Sequence, residues 1–352
     1  MKYKKKHFTA ISIVFFLLLN PSEAVGRNIA VQSNPAWTGE VEAVSRFKLT
    51  AENLGWTCDI FDYQNKNIDN KNYDFVVCYV PCAYKSRHRT YLILSGGVSE
   101  DFFLNNGMLK KELSSYNGYL VIYKFANRSQ NLTDRSSASW KYWYPSAPYL
   151  EEWYPTVQFT AYQEVIPKYL FYTCAVWGNR LEDEKYIKLL SLLDEQPYTR
   201  FYGREVFADL YQNYIYYIPA DGISLIKEIQ RNGISLILHS ENHLQDKIPS
   251  GRIFEAAAAS SVIISDQNAF VIENFGDSVL YIDETLNAVE MFNQINAHVQ
   301  WILSHKEEAL AMAKKAHDIY IERFLFEDQL LKLETLHMET SNRNIHESIK
   351  NY

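Results

Sequence analysis

Cysteine is scarce in this chain. Its 352 residues hold four, Cys58, Cys78, Cys82 and Cys174, with no C-x-x-C pair and no histidine at a ligand interval, so nothing supports a zinc site. Cys58, Cys78 and Cys174 fall in or beside apolar, strand-like runs, where a thiol behaves as a small buried hydrophobe, and free thiols are expected. Basic runs are missing after Lys6, and the net charge is −7. A nucleic-acid binder needs clustered Lys and Arg to neutralise phosphates, so nucleic acid is not an expected partner. Long hydrophobic runs are missing too. The main one, Ala10 to Leu19, falls well short of the roughly 20 residues that span a bilayer as a helix, and no stable membrane span is expected.

What is present is ordinary globular material. Hydrophobic residues make up 47% and charged residues 22%, and the length suits two domains of about 150 residues each. The 26 Tyr, 19 Phe and 7 Trp supply core volume first, and flat amphipathic faces for a sugar second. At the start, Lys2, Lys4, Lys5 and Lys6 precede the apolar run, and Pro21 leads into Ser22-Glu23-Ala24. That is the pattern of an export signal cleaved after Ala24, with an uncleaved anchor as the alternative. The organisation expected is a signal over 1–24, an N-terminal Rossmann-like domain over 25–165, a C-terminal Rossmann-like domain over 166–340 and a polar tail over 341–352.

Periodicity supplies the elements. Asn28 to Gln32 reads as a strand, and Val41, Val44, Phe47, Ala51 and Leu54 as one helix face that stops at Gly55. Trp56 to Phe61, Asp74 to Val80 and Tyr119 to Tyr123 read as further strands, within a stretch from Thr90 to Pro155 that otherwise reads as irregular. A second series runs from Leu170: strands at Leu170 to Trp177, Ser235 to His239, Val262 to Ser265 and Val279 to Ile282. Between them lie helices at Glu182 to Leu193, Ser250 to Ala259 and Phe270 to Phe275, with two or three amphipathic helices over 285–337. Alternating strands and helices imply parallel sheets with right-handed crossovers. The fold class expected is α/β, two Rossmann-like domains in tandem joined near 156–168.

In such sheets ligands bind beyond the carboxyl ends of the strands. That rule selects Gly178-Asn179-Arg180, the loop Ser240 to Pro249 and the segment Asp266 to Phe270, which carries Asn268. Pro249-Ser250-Gly251-Arg252 has the marks of a helix start, whose unpaired N–H groups form an anion site. Arg252 adds a fork for two phosphate oxygens, and Glu255, a turn later, can accept from a vicinal diol such as a ribose. Plainer readings exist for each: Arg252 and Glu255 are an i,i+3 ion pair, Asn179 and Glu182 fit a helix cap, and His239 fits a hydrogen-bonded structural histidine.

Four runs shift the balance: Gly233 to His239, Ile248-Pro-Ser-Gly-Arg-Ile-Phe-Glu-Ala-Ala-Ala-Ala259, Val262 to Asp266 and Glu273-Asn-Phe-Gly-Asp-Ser278. Together they resemble the C-terminal domain of group 1 glycosyltransferases, especially the subgroup related to the spore-coat protein CgeB. The resemblance implies the GT-B fold, a nucleotide diphosphate sugar as co-substrate, no other cofactor and no metal, and a carbohydrate, lipid or protein acceptor. It places the donor ribose at Glu255 and the diphosphate at the helix start. Gly178-Asn-Arg-Leu-Glu-Asp-Glu-Lys185 is similar to the family element that contacts the diphosphate, through Arg180 and Lys185. Two departures bear on stereochemistry: Lys247 stands where many retaining members carry Glu, leaving Glu241 as a candidate acid, and Ser240-Glu-Asn-His243 loosely resembles a segment of α1,3-fucosyltransferases.

The activity expected is therefore hexose transfer, with a fucosyltransferase-like inverting enzyme or a non-catalytic carbohydrate- or nucleotide-binding protein as alternatives. Donor contacts are expected from Gly178, Asn179, Arg180, Lys185, His239, Asn242, Ser250, Gly251, Arg252, Glu255, Asn268 and Phe270. The acceptor is expected in the loop from Ser33 to Glu40, at Asn34, Trp37 and Gly39, with Arg87-His88 as a second contact. An inverting reaction would take its base from Glu40, Glu42 or His88. Export is checked directly: N-terminal sequencing of protein from its native host should begin at Val25, whereas an intact Met1 on a cytosolic product overturns it.

Overall fold

The computed structural model describes residues 26–36, 38–81, 84–94, 115–122, 148–174 and 182–350. The expected signal over 1–24, and with it Trp37, Cys82, Gly178, Asn179 and Arg180, lie outside the described residues. Among the described residues no helix is long and apolar enough to cross a membrane.

Two parallel sheets organise the chain. The first contains β1 (Asn28–Ser33), β2 (Thr57–Asp62), β3 (Phe75–Cys78), β4 (Thr90–Leu94), β5 (Gly118–Val121) and β6 (Tyr149–Leu150), in the order β2-β1-β3-β4-β5-β6. Helix α1 (Thr38–Asn53) follows β1 and ends at Gly55, whose φ of +75° is the left-handed turn that glycine tolerates. Strands β3, β4 and β5 are buried at every residue, as sheets covered on both faces require. One difference from the sequence reading is that Thr90 to Leu94, expected to be irregular, is a central strand, buried as completely as its neighbours β3 and β5. Cys58 is a buried free thiol, and Cys78 is buried with its Sγ donating to Gln32 Oε1 at 3.6 Å.

The second sheet holds β7 (Tyr169–Cys174), β8 (Thr199–Gly203), β9 (Tyr214–Tyr216), β10 (Gly233–Ile237), β11 (Val262–Asp266) and β12 (Val279–Ile282), ordered β12-β11-β10-β7-β8-β9. Its helices are α2 (Glu184–Asp194), α3 (Ser224–Asn232), α4 (Glu241–Asp246), α5 (Gly251–Ala258), α6 (Ala269–Phe275), α7 (Ala288–Ser304) and α8 (Lys306–Arg323). Strands β8 and β9 and helix α3 are additions to the sequence reading. Arg200 breaks the apolar signal of β8, because its guanidinium covers the Tyr169 ring at 4.2 Å instead of facing water. Gly233 ends α3 at φ +83°, and a Cβ there would stand 2.7 Å from the carbonyl oxygen of Ile166, so the turn into β10 admits only glycine.

The last helix, α9 (Phe326–Lys350), extends through the segment expected as a polar tail and packs on the first sheet. Phe326, Leu330 and Leu333 join Phe47, Trp56, Phe75, Tyr91 and Trp153 in the N-terminal core. Two chain segments thus cross between the domains, and they are bonded to each other: Phe326 N–H donates to Val157 O at 3.1 Å, and Tyr154 N–H to Gln329 Oε1 at 2.8 Å. Because Phe326 is 3% exposed, Phe326→Ala should leave a cavity in this core and cost about 3–5 kcal/mol of unfolding free energy, measured by urea denaturation.

Candidate functional site

Counted from β7, the second sheet reads 3-2-1-4-5-6 from β9 to β12. In that order the chain reverses direction across the sheet between β7 and β10, and the crevice beyond their carboxyl ends is where ligands bind. The segments that follow β10 and β11 meet there, as the bond between His239 and Asp266 shows; the segment that follows β7 is expected at the same edge. Of these, residues 175–181 lie outside the described residues.

His239 follows β10 and is 1% exposed. Its Nδ1 lies 2.6 Å from Asp266 Oδ1, at the end of β11, and its main-chain N–H donates to Oδ2 of the same carboxylate. A carboxylate accepts only, so the shared proton belongs on Nδ1. Nε2 is buried without a hydrogen-bond partner among the described residues, at the carboxyl edge of the sheet. Asn268, fully buried, braces the same edge: its Nδ2 donates to Ile248 O at 2.9 Å, and its Oδ1 caps α6 by accepting from Phe270 and Val271 N–H. Phe270 sits 8% exposed in an aromatic cluster, its ring 4.9 Å from that of Tyr154.

Helix α5 starts as its sequence dictates. Ser250 Oγ accepts from Arg252 N–H at 3.4 Å, and Ile253, Phe254 and Ala256 to Ala258 are buried against the sheet and α8. The alanines let the helix lie close, and Gly251 lets it approach the crossing segment, where a Cβ would stand 3.1 Å from Pro155 O. Glu255 is 3% exposed. Arg252 donates to its Oε2, and Arg46, from α1 of the other domain, bonds its Oε1 at 2.6 Å. Burial pushes the Glu255 carboxyl up, but the guanidiniums of Arg252 and Arg46 more than offset it, and the net shift is downward. Arg46 also bonds Glu42 at 2.6 Å, and Glu42 accepts from Gly222 N–H at 3.0 Å. Gly222, at φ +79°, presses on α1, where a Cβ would meet Leu49 Cδ1 at 2.9 Å.

Other expected residues are placed as follows. Lys185, in the first turn of α2, donates its Nζ to the carbonyl of Glu284. Glu241 and Asn242 open α4 and are exposed, Glu241 accepting from Gln245 at 2.8 Å. Lys247 ends α4 at φ +56° with its side chain exposed. Of the residues expected to meet the acceptor, Glu40 accepts from Asn34 N–H at 3.2 Å beside Gly39, which has open space around it. His88 is not brought to this edge. It bonds Lys71 O at 3.0 Å, before the amino ends of β3 and β4, on the opposite side of the sheet. Sequence reasoning missed Arg46, and it selected the segment that begins at Asp266 without giving that carboxylate a role. A charge that ends an apolar strand, as in Ile-Ile-Ser-Asp266, is a signal for a buried partner; Arg46 had only the look of a surface i,i+4 pair with Glu42.

The comparisons with known proteins fit this geometry. Residues 168–335 match the family model described as glycosyl transferase-like. That segment is similar to a group 1-like glycosyltransferase family. Compared by sequence with curated proteins, the chain finds no match. Among solved structures it is similar to a glycosyltransferase from Rickettsia africae (13% identity, 90% of this chain and 99% of that one, TM-score 0.53). It is similar also to sucrose-phosphate synthase from Thermosynechococcus elongatus (10% identity, 90% and 100%, TM-score 0.55) and to Anabaena HepE in complex with UDP-glucose (9% identity, 91% and 100%, TM-score 0.52). TarM is matched at 12% identity and TM-score 0.48 over 75% of this chain, which spans only 54% of TarM. At these identities the likeness is one of fold, and the fold of this glycosyltransferase-like chain is GT-B.

Burial pushes the Glu40 carboxyl up from 4.5 to about 7, against the Asn34 N–H that favours its charge. The folded protein therefore keeps a proton that the unfolded chain releases near 4.5, so this group's contribution to stability is full below about 4.5, declines as pH rises to about 7 and is level above. Glu40→Gln removes the titration. Its urea midpoint relative to wild type should climb across that window and then plateau.

Proposed function

We propose that this protein transfers a hexose from a nucleotide diphosphate sugar to an acceptor hydroxyl, without a required metal. The observation that carries the reading is the start of α5: a capped helix terminus with Arg252 and Glu255 beside the switch point of a sheet that the family match covers. The terminus offers N–H donors and a partial positive charge to a diphosphate. Arg252 offers a two-pronged partner for its oxygens, and Glu255 two acceptors for a ribose diol. UDP is a fitting nucleotide to test first, since the similarly folded HepE was solved with UDP-glucose. The departing diphosphate gathers negative charge as the glycosidic bond breaks, and donors fixed in place before reaction stabilise it most.

The acceptor belongs on the N-terminal side of the cleft, near Asn34 and Gly39. Of the carboxylates offered there as base, Glu42 is engaged by Arg46 and the Gly222 N–H. Glu40 is free of any ion pair among the described residues, and burial holds it poised at about 7, where a general base works best. In this reading Glu40 takes the acceptor's proton while the hydroxyl oxygen attacks the anomeric carbon, an inverting displacement. His239 Nε2, unpartnered among the described residues, accepts from a donor hydroxyl.

Calorimetry with UDP, GDP, their sugars and uridine tests the reading, and a folded protein that binds none of them overturns it. Arg252→Ala should weaken UDP about tenfold or more while uridine changes about twofold or less, because the lost partner is phosphate. Equal losses for both would make Arg252 structural. Addition of EDTA should leave turnover unchanged.

A further inference from the structure

We propose that Arg46 of the N-terminal domain is a positioning residue for the donor site of the other domain: it is the standing counterion of Glu255, which frees Arg252 to leave that carboxylate for the ligand's diphosphate. This rests on the donor-site reading above. As the site stands, Glu255 has both oxygens taken, Oε1 by Arg46 Nη1 at 2.6 Å and Oε2 by Arg252 Nη1. A ribose that reaches this carboxylate and a diphosphate that reaches this guanidinium cannot both be served while the Arg252–Glu255 pair is closed.

The two cations differ in freedom. The Arg252 side chain is 33% exposed at the helix start, and Glu255 is its one ion-pair partner among the described residues. The Arg46 side chain is 4% exposed and held on two sides: its Nη1 lies on Glu255, while Nε and Nη2 grip Glu42 Oε1 at 3.1 and 2.6 Å. Glu42 is itself fixed through Oε2 by Gly222 N–H, and the neighbouring Ser45 Oγ donates to Ala220 O at 3.0 Å. Arg252 is therefore the residue that can swing away. Its departure would strand a buried carboxylate with no cation, the costliest arrangement for a charge, unless another remains. Arg46 remains. The exchange leaves Glu255 charged, turns its Oε2 to the ribose and delivers Arg252 to the phosphates. Without Arg46, Arg252 is the only cation paired with Glu255 among the described residues, and the ligand has to compete for it.

The test is UDP binding to the full chain by calorimetry, with GDP in its place if wild type prefers it, for wild type, Arg46→Met, Arg46→Lys, Arg252→Ala and the Arg46→Met/Arg252→Ala pair. Arg46→Met should weaken UDP about tenfold or more and uridine less. Arg46→Lys keeps one charge but loses the fork that spans Glu42 and Glu255, and should fall between the two. Because Arg46 acts through Arg252, the double variant should lose less than the product of the two single losses. Circular dichroism melts identify variants that fold; if Arg46→Met does not, the Lys variant carries the comparison. Wild-type affinity in a folded Arg46 variant, tighter binding, or multiplying losses each overturn the proposal. If wild type binds neither nucleotide, the donor-site reading fails first and this inference with it.

Discussion

A carboxylate buried to 3% exposure cannot stand alone, and much of this molecule's arrangement follows from how Glu255 is compensated. One cation, Arg252, comes from its own helix; the other, Arg46, comes from the opposite domain. Glu42 closes the cluster, so that two acids and two bases balance in a space with little water. Breaking such a pair by removing one partner typically costs about 3–5 kcal/mol, which makes the contact between the first turns of α1 and the start of α5 a fixed point of the interdomain surface. The Gly222 turn is set on the same point from a second direction, through Glu42.

Behind this polar joint lies an apolar one. Phe254, on the inner face of α5, meets Tyr154, Phe270, Phe275 and Phe324, with ring centroids 5.2 to 6.5 Å apart. Tyr154 and Phe324 belong to the two crossing segments, so the helix that offers its start to the cleft rests on the chain that joins the domains. Among the described residues, the large aromatics thus mostly fill core and joint.

How much of this was legible depends on whether the information is local. The start of α5 was, because Ser250 as cap and the alternation of polar and apolar residues after it are decided within one turn. Strand β12 and helix α1 were for the same reason. Strand β8 was not, since Arg200 lies on an aromatic ring, and β4 was not, although the equally buried β3 and β5 were. The resemblance over the C-terminal half gave the fold, while the partner of Glu255 stayed hidden. Arg46 and Glu42 look like any helical surface pair until the other domain is laid against them, and Asp266 shows its role only when β10 brings His239 beside it. Long-range pairings of charge leave at most a local hint, such as the carboxylate that ends β11, and never name the partner.

Helix α9 has a consequence for how the chain is made. The N-terminal core contains Phe326, Leu330 and Leu333, which are synthesised after the whole second sheet. Multidomain chains generally complete their first domain first, as it emerges. This one lacks three of its inner residues until the end, so its early half waits with an open apolar seam beside Phe47, Phe75 and Tyr91 while the later half is still growing. The second domain can close on its own strands; the first becomes whole only when the chain returns to it.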